Sequence, residues 1–424
     1  MDLAGWLRFI AEQHEEEMAL GLERSRAVAC RLGLLPLPLR TITIAGTNGK
    51  GSTALFAEGL LRRAGKRVGV TLSPHLERFN ERIRIDGEEL DDAFICDAFA
   101  AVEDARGDTP LTYYEFAILA ALVAFRSAGV DVVVLEVGLG GRLDTVNVVD
   151  ADVAVVTSIG LDHQAQLGDT LEAIGPEKSA VARTGAPLIL GAEMPDSVLR
   201  DAAARAVPTR QFGTDHWYIT AATDWRVHCA GRELRSAAAP RVARRNACNA
   251  LAAVVALGTD LDDGMFEGAC RDVGNPGRIE PFSWFGRDRR ARVRVVEGVL
   301  DVAHNPAAAR FLAQQLAARY PGKRFVACAG FLRDKDVAGI GAALDALVRD
   351  WIIADVDGQR GLSAASARER LGWGEIEPQP LAAAERAADL CGEADMMLVL
   401  GCFAHVQRVR GELAGTLDRG TLGA

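Results

Sequence analysis

Between Thr41 and Thr53 the chain reads Thr-Ile-Thr-Ile-Ala-Gly-Thr-Asn-Gly-Lys-Gly-Ser-Thr, a β-branched run that breaks into glycines and one lysine. Those residue types suit phosphate chemistry. Gly46, Gly49 and Gly51, with Thr47 and Asn48 among them, let successive backbone N–H groups close around phosphate oxygens, and Lys50 adds a mobile positive charge. Ser52 or Thr53 then opens a helix with a hydroxyl suited to Mg2+, while the helix N-terminus favours anions. The spacing departs from G-x-x-x-x-G-K-[ST]: Ile44 stands where the first glycine belongs, and Gly51 separates Lys50 from Ser52. The flanking strand and helix patterns favour a nucleotide-phosphate loop over an ordinary glycine-rich turn.

Further candidates stand at the ends of other apolar runs. Val130 to Val137 is nearly all β-branched, as in a central parallel strand buried on both faces, yet it contains Glu136. A carboxylate there must be paired or metal-bound. It reads as an acid delivered to a metal site beneath the phosphate loop, or as one satisfied by Arg142 or a backbone group. Arg67 to Leu72 is a strand followed at once by Ser73-Pro-His75, and Asp152 to Ile159 is one followed by Gly160-Leu-Asp-His163. Carboxyl ends of strands are where open α/β sheets bind ligands, so His75 and His163 are not ordinary core histidines by position. Lys178, in the helical stretch Leu171 to Arg183, reads locally as a solvated charge. Tyr113, Tyr114 and Phe116 open an apolar helix and read as core before ligand stacking; Asn246 or Asn249 reads as a cap for a helix from Arg244 to Leu257.

These residues must be held by strands alternating with helices. At 424 residues the chain is too long for one ordinary core. We expect an α/β protein with a P-loop-type, mostly parallel-sheet ATPase domain over 1–285 and a smaller Rossmann-like α/β domain over 286–424. Gly298 to Pro306, Arg324 to Gly330, Trp351 to Asp355 and Met396 to Gly401 repeat the βα alternation without a second phosphate loop. Glu15 to Glu17 reads as a solvated helix face, and the boundary is expected near residues 281 to 293. A net charge of -10 argues against nucleic acid or a membrane surface as the main partner. Eight scattered cysteines, with no apolar leader or membrane-length run, fit a reduced cytoplasmic protein.

Taken together, the motifs resemble the folylpolyglutamate synthase and dihydrofolate synthase family of ATP-dependent amide ligases, relatives of the Mur ligases. The resemblance runs from Leu20-Gly-Leu-Glu-Arg24 through Gly46 to Ser52, Ser73 to Leu76, Glu81 to Ile85, Glu136 to Asp144, Gly160 to His163, Glu177-Lys178 and Pro276-Gly-Arg278 to Leu300-Asp-Val-Ala-His-Asn-Pro306. It implies an acyl phosphate made from ATP and a pterin-containing acid, attacked by the amine of L-glutamate.

The resemblance assigns the loop and Lys50 to the phosphates, and implies two Mg2+ sites, one held by Ser52 and Glu136 and the other helped by Ser73 and His163; it admits K+ besides. It implies that Lys178 is carbamylated, that Asn246, Arg278 and Asp301 contact the nucleotide at the domain interface, and that His304 lies beside the phosphate and incoming glutamate. Leu20 to Arg24 resembles the loop that helps bacterial members recognise dihydropteroate, which implies a bifunctional enzyme acting on dihydropteroate and reduced folates; a monomer is expected. The alternatives are a folylpolyglutamate synthase lacking the first activity and a nucleotide-dependent P-loop regulatory module. Two positions depart from the family pattern: Cys402 stands where serine is usual, and Ser179 where alanine is usual.

Overall fold

A computed structural model describes residues 1–13, 20–221, 223–287 and 293–413. The Glu15–Glu17 run and the basic run beyond Arg287 lie outside the described residues. The chain forms two compact units, Met1–Asn275 and Pro276–Ala424.

The first unit is built on an eight-stranded sheet in the order Glu88–Glu89, Ile83–Ile85, Val68–Thr71, Val132–Glu136, Arg40–Ala45, Val153–Val156, Leu188–Leu190, Thr209–Gln211. The first two pairings are antiparallel and all the others parallel. All five residues of Val132–Glu136 are buried, as are the last five of Arg40–Ala45. The β-branched composition suits strands covered on both faces. Their side chains divide by period two: Val133 and Leu135 join a core with Phe99, Phe116 and Phe125, whereas Ile42, Ile44, Val132 and Val134 join one with Phe56, Leu60 and Phe266.

Helix Lys50–Arg63 leads out of the phosphate loop. Helix Tyr113–Ala128 starts at a capping box, in which Thr112 Oγ1 accepts from Glu115 N and Glu115 Oε2 accepts from Thr112 N, and it stops at Gly129 in the left-handed region. A small antiparallel sheet of His216–Thr220, Trp225–Cys229 and Arg232–Ser236 sets Trp225 against Phe266 at 4.9 Å. Among the described residues no helix is long and apolar enough to cross a membrane. All eight cysteines are free, and six of them are buried.

The second unit carries a six-stranded sheet in the order Glu280–Arg287, Val293–Asp301, Asp395–Gly401, Arg324–Gly330, Val348–Ile353, Glu375–Ile376. Only the first pair is antiparallel. That pair runs in register from Glu280↔Leu300 to Arg287↔Val293, so the chain from Pro276 belongs here, upstream of the expected 285/286 boundary.

Candidate active site

Strand Arg40–Ala45 delivers the loop, and the helix begins at Lys50, ahead of the Ser52 or Thr53 start expected from sequence. Gly49 makes the early start possible as an N-cap with φ 89. A Cβ there would lie 2.6 Å from Asn246 Oδ1, and one on Gly46 (φ 143) would lie 2.0 Å from Thr157 Oγ1. Lys50 folds back over the loop, its Nζ donating to Gly46 O at 3.2 Å and Thr47 O at 3.4 Å. The two candidate hydroxyls separate in role. Thr53 is fully buried and donates to Gly49 O inside the helix, whereas Ser52 Oγ accepts from Asn275 Nδ2 at 3.0 Å.

The loop is braced by the neighbouring strand end, which sequence reasoning missed. Thr157 Oγ1 donates to Asn48 O at 2.7 Å, and Ser158 Oγ accepts from Asn48 N at 3.0 Å. Thr47 N donates to Ser158 O at 2.8 Å, and Thr47 Oγ1 accepts from Gly160 N at 2.9 Å. The available signal was that Thr157 and Ser158 follow an apolar run of the same type as Thr41 to Ala45.

Glu136 ends the central strand and is 5% exposed; its Oε2 accepts from Ser73 N at 2.8 Å. Arg142 is not its partner, because it pairs with Glu177 at 2.8 Å. A Cβ on Gly51 would lie 3.4 and 3.6 Å from the two Glu136 oxygens, which places the carboxylate beneath the loop. Ser73 Oγ is buried with no hydrogen-bond partner among the described residues. An orphaned hydroxyl beside a buried carboxylate fits a hard cation. Among the described residues no three His, Cys, Asp or Glu side chains converge on one point. A cation here would therefore take a carboxylate, hydroxyls and nucleotide phosphates, the mixed oxygen set Mg2+ favours. His163 sits at the start of the short helix Gln164–Leu167 with φ 51.

Lys178 overturns its local reading as a solvated charge: it is 4% exposed, and its Nζ donates to Gly46 O at 3.2 Å. The turn through Gly141 packs on its backbone, where a Cβ would lie 2.8 Å from Lys178 O. Burial first, and then the positive charge of Lys50, lower its pKa to about 7. Its neighbour Ser179 donates to Pro176 O and Asp201, both at 3.3 Å.

The three aromatics part company. Phe116 packs in the core edge-on to Phe99, while half-buried Tyr113 lies with the Arg82 guanidinium 5.6 Å from its ring centroid. Tyr114 is tied down by its hydroxyl, which donates to Asp144 at 3.2 Å and accepts from Gly138 N at 2.8 Å. Asp144, also unsuspected, is buried; desolvation raises its pKa to about 6 against the pull of the Leu139 and Val146 amides. His75 Nδ1 accepts from Arg82 Nε at 2.7 Å, and burial together with that guanidinium lowers its pKa to about 4, so the imidazole is neutral. Neither asparagine caps its helix: Ala243 is the cap of Arg244–Ala256 and makes no side-chain bond, Asn246 lies against Gly49, and Asn249 Oδ1 meets His216 Nε2 at 2.9 Å.

In the second unit, Arg278 and His304 flank Phe403, with the guanidinium 5.5 Å from the ring centroid and the imidazole 6.1 Å from it. Buried Asp301 accepts from Ile279 N at 2.9 Å; desolvation raises its pKa, with Arg278 the main opposing influence. His304 Nδ1–H donates to Val302 O at 2.8 Å, which fixes the tautomer, and Asn305 caps helix Pro306–Arg319. Cys402 is buried, and its thiol pKa is raised by that burial.

A mostly parallel sheet whose glycine-rich loop faces a buried acid and a buried lysine, followed by a second unit of Rossmann-like topology, defines a Mur-type ligase. Residues 44–257 match the Mur ligase middle domain, and residues 287–403 match the Mur ligase glutamate ligase domain. More narrowly, the chain belongs to the dihydrofolate synthase/folylpolyglutamate synthase family of ATP-dependent ligases. It is 41% identical to the Escherichia coli (strain K12) dihydrofolate synthase/folylpolyglutamate synthase, over 96% of this chain and 95% of the relative. The Haemophilus influenzae enzyme of that name is 37% identical over 87% of this chain and 86% of its own. The structure of E. coli FolC in complex with DHPP and ADP superposes with a TM-score of 0.90 at 39% identity, covering 98% of both chains. The Yersinia pestis bifunctional enzyme with AMPPNP and Mn ion gives 0.88 at 39% identity, again covering 98% of both.

Proposed function

We propose that this chain joins L-glutamate to 7,8-dihydropteroate and to reduced folates, using ATP and Mg2+ and passing through an acyl phosphate. The observation that carries this reading is the convergence of Glu136, Ser52 and the glycine loop at Gly51, in a chain similar over nearly its whole length to enzymes of that name.

The chain's own groups account for the chemistry as follows. The loop amides and Lys50 hold the β- and γ-phosphates and draw off charge as the γ-phosphoryl moves to the substrate carboxylate. Divalent cations held by Ser52 and Glu136, and by Ser73 and His163, would supply further neutralisation of phosphate oxygens. Lys178, with a pKa near 7, has an appreciable neutral fraction at physiological pH. Its amine can add to CO2, releasing one proton and leaving a carbamate that supplies oxygens where a cationic side chain would repel a metal. On the second unit, Arg278 and Asp301 are assigned to the nucleotide and His304 to the phosphate and incoming glutamate; Asn246 is assigned to the nucleotide from the first unit. The glutamate amine then attacks the acyl carbon, and phosphate leaves the tetrahedral intermediate. The enzyme works as a cytoplasmic monomer on small molecules, in keeping with a net charge of -10.

The test is incubation with ATP, Mg2+, L-glutamate and either dihydropteroate or tetrahydrofolate, with product masses read out. Dihydrofolate and glutamylated tetrahydrofolate are expected. Elongation of tetrahydrofolate alone would leave a folylpolyglutamate synthase, and no amide product with either acid would overturn the reading.

A further inference from the structure

We propose that Asn275 is a positioning residue for the cation, acting through the hydroxyl of Ser52; this rests on the reading that Ser52 binds the nucleotide's metal. Two observations meet at this residue. Asn275 Nδ2 donates to Ser52 Oγ at 3.0 Å across 223 positions of sequence. A Cβ on Gly51 would lie 3.5 Å from that same Nδ2 and 3.4 Å from Glu136 Oε2, so the amide and the carboxylate flank one glycine.

A serine hydroxyl has one proton and two lone pairs on a rotor. With one lone pair committed to the Asn275 amide, the proton is kept out of that direction, and the proton and the second lone pair share the two directions that remain. Mg2+ demands near-ideal octahedral geometry, so a hydroxyl already turned to its bound orientation saves the ordering that a free one would need. Ser52 is 7% exposed, and an unpaired rotor there would have little water to steady it. Asn275 is also the last residue of the first unit, so the bond ties the metal-facing hydroxyl to the point where the chain leaves that unit.

The discriminating variant is Asn275→Leu, which keeps the side chain's size and removes the donor; Asn275→Ala removes both. Binding of Mn2+ to the full chain loaded with AMPPNP is measured by electron paramagnetic resonance, alongside the Mg2+ activation constant, the KM for dihydropteroate and the melting temperature without ligand. Both variants should weaken Mn2+ by about three- to tenfold, the scale of one lost hydrogen bond, and raise the Mg2+ activation constant by the same factor with no change in the pterin KM. In a Ser52→Ala background, Asn275→Leu should have no further effect on Mn2+. Wild-type Mn2+ affinity in Asn275→Leu, or an equal loss in the Ser52→Ala background, would overturn this inference alone. Failure of the wild-type protein to bind Mn2+ with AMPPNP would overturn the functional reading along with it.

Discussion

Replacing Lys178 by methionine should stabilise the first unit while removing ligase activity. The lysine is 4% exposed, and burial with Lys50 nearby lowers its pKa from 10.5 to about 7. The unfolded chain keeps the ordinary value, so between those two pH values it binds the proton more tightly than the folded protein does. Stability is therefore lost as the pH falls from 10.5 toward 7 and is regained as it rises. At about 1.4 kcal/mol per pKa unit, the charged amine costs roughly 4 kcal/mol at neutral pH. Methionine fills similar volume, carries no charge and gives up the bond to Gly46 O, about 1 kcal/mol, leaving a gain of about 2–4 kcal/mol. Spread over the unfolding entropy of the Met1–Asn275 unit, that is a rise of about 3–7 °C in its melting temperature. Calorimetry in CO2-depleted buffer at pH 7 and pH 9 reads it out, because carbamate formation would hide the amine. Wild type should gain about 2 kcal/mol over that interval relative to Lys178→Met. A variant that melts at or below wild type at pH 7, or that shows the same pH slope, would refute the reasoning.

Lys50→Ala and Glu136→Ala should each lower kcat/KM by roughly a hundredfold or more, the scale of removing one charge-stabilising group, and Glu136→Ala should also raise the Mg2+ requirement. Full activity in a steady-state assay of either variant would break the site assignment. Thr157→Val removes the donor to Asn48 O and should raise the KM for ATP about five- to tenfold, with Thr157→Ser restoring it; an unchanged KM would show that the loop holds its shape without the brace. Burial lowers the pKa of His405 from 6.5 to about 4, so its contribution to stability is complete above pH 6.5 and is lost as the pH falls to 4, about 3 kcal/mol in all. Urea midpoints between pH 7 and 4 should fall less steeply in His405→Phe than in wild type.

Much of this site is legible in the sequence because its parts are local. Gly46 to Ser52 follows a strand pattern and precedes a helix pattern, and Glu136 stands out as a charge inside a β-branched run. What escapes are contacts made only through space. Nothing around Lys178 marks it as buried: the surrounding Pro-Glu-Lys-Ser is polar, and its burial comes from the Gly141 turn folding onto that segment. Thr157, Ser158 and Asn275 reach the loop from more than a hundred positions away, a separation at which neither period two nor period 3.6 carries any signal. Asn246 misled for a related reason. An asparagine near a helix start suits a cap, but the helix begins two residues earlier, and the side chain is used against Gly49 instead.

The strand that carries the phosphate loop lies between Val132–Glu136 and Val153–Val156, so both of its neighbours are encoded well downstream of it. A ribosome must add about ninety further residues after Arg40 before the first neighbour exists. At about 5–20 residues per second, that is roughly five to twenty seconds. Through that interval Ile42 and Ile44 belong to a nascent segment with no sheet to join, although both end fully buried. The segment holding the glycine-rich loop is thus open to capture by a chaperone until those two strands have been made.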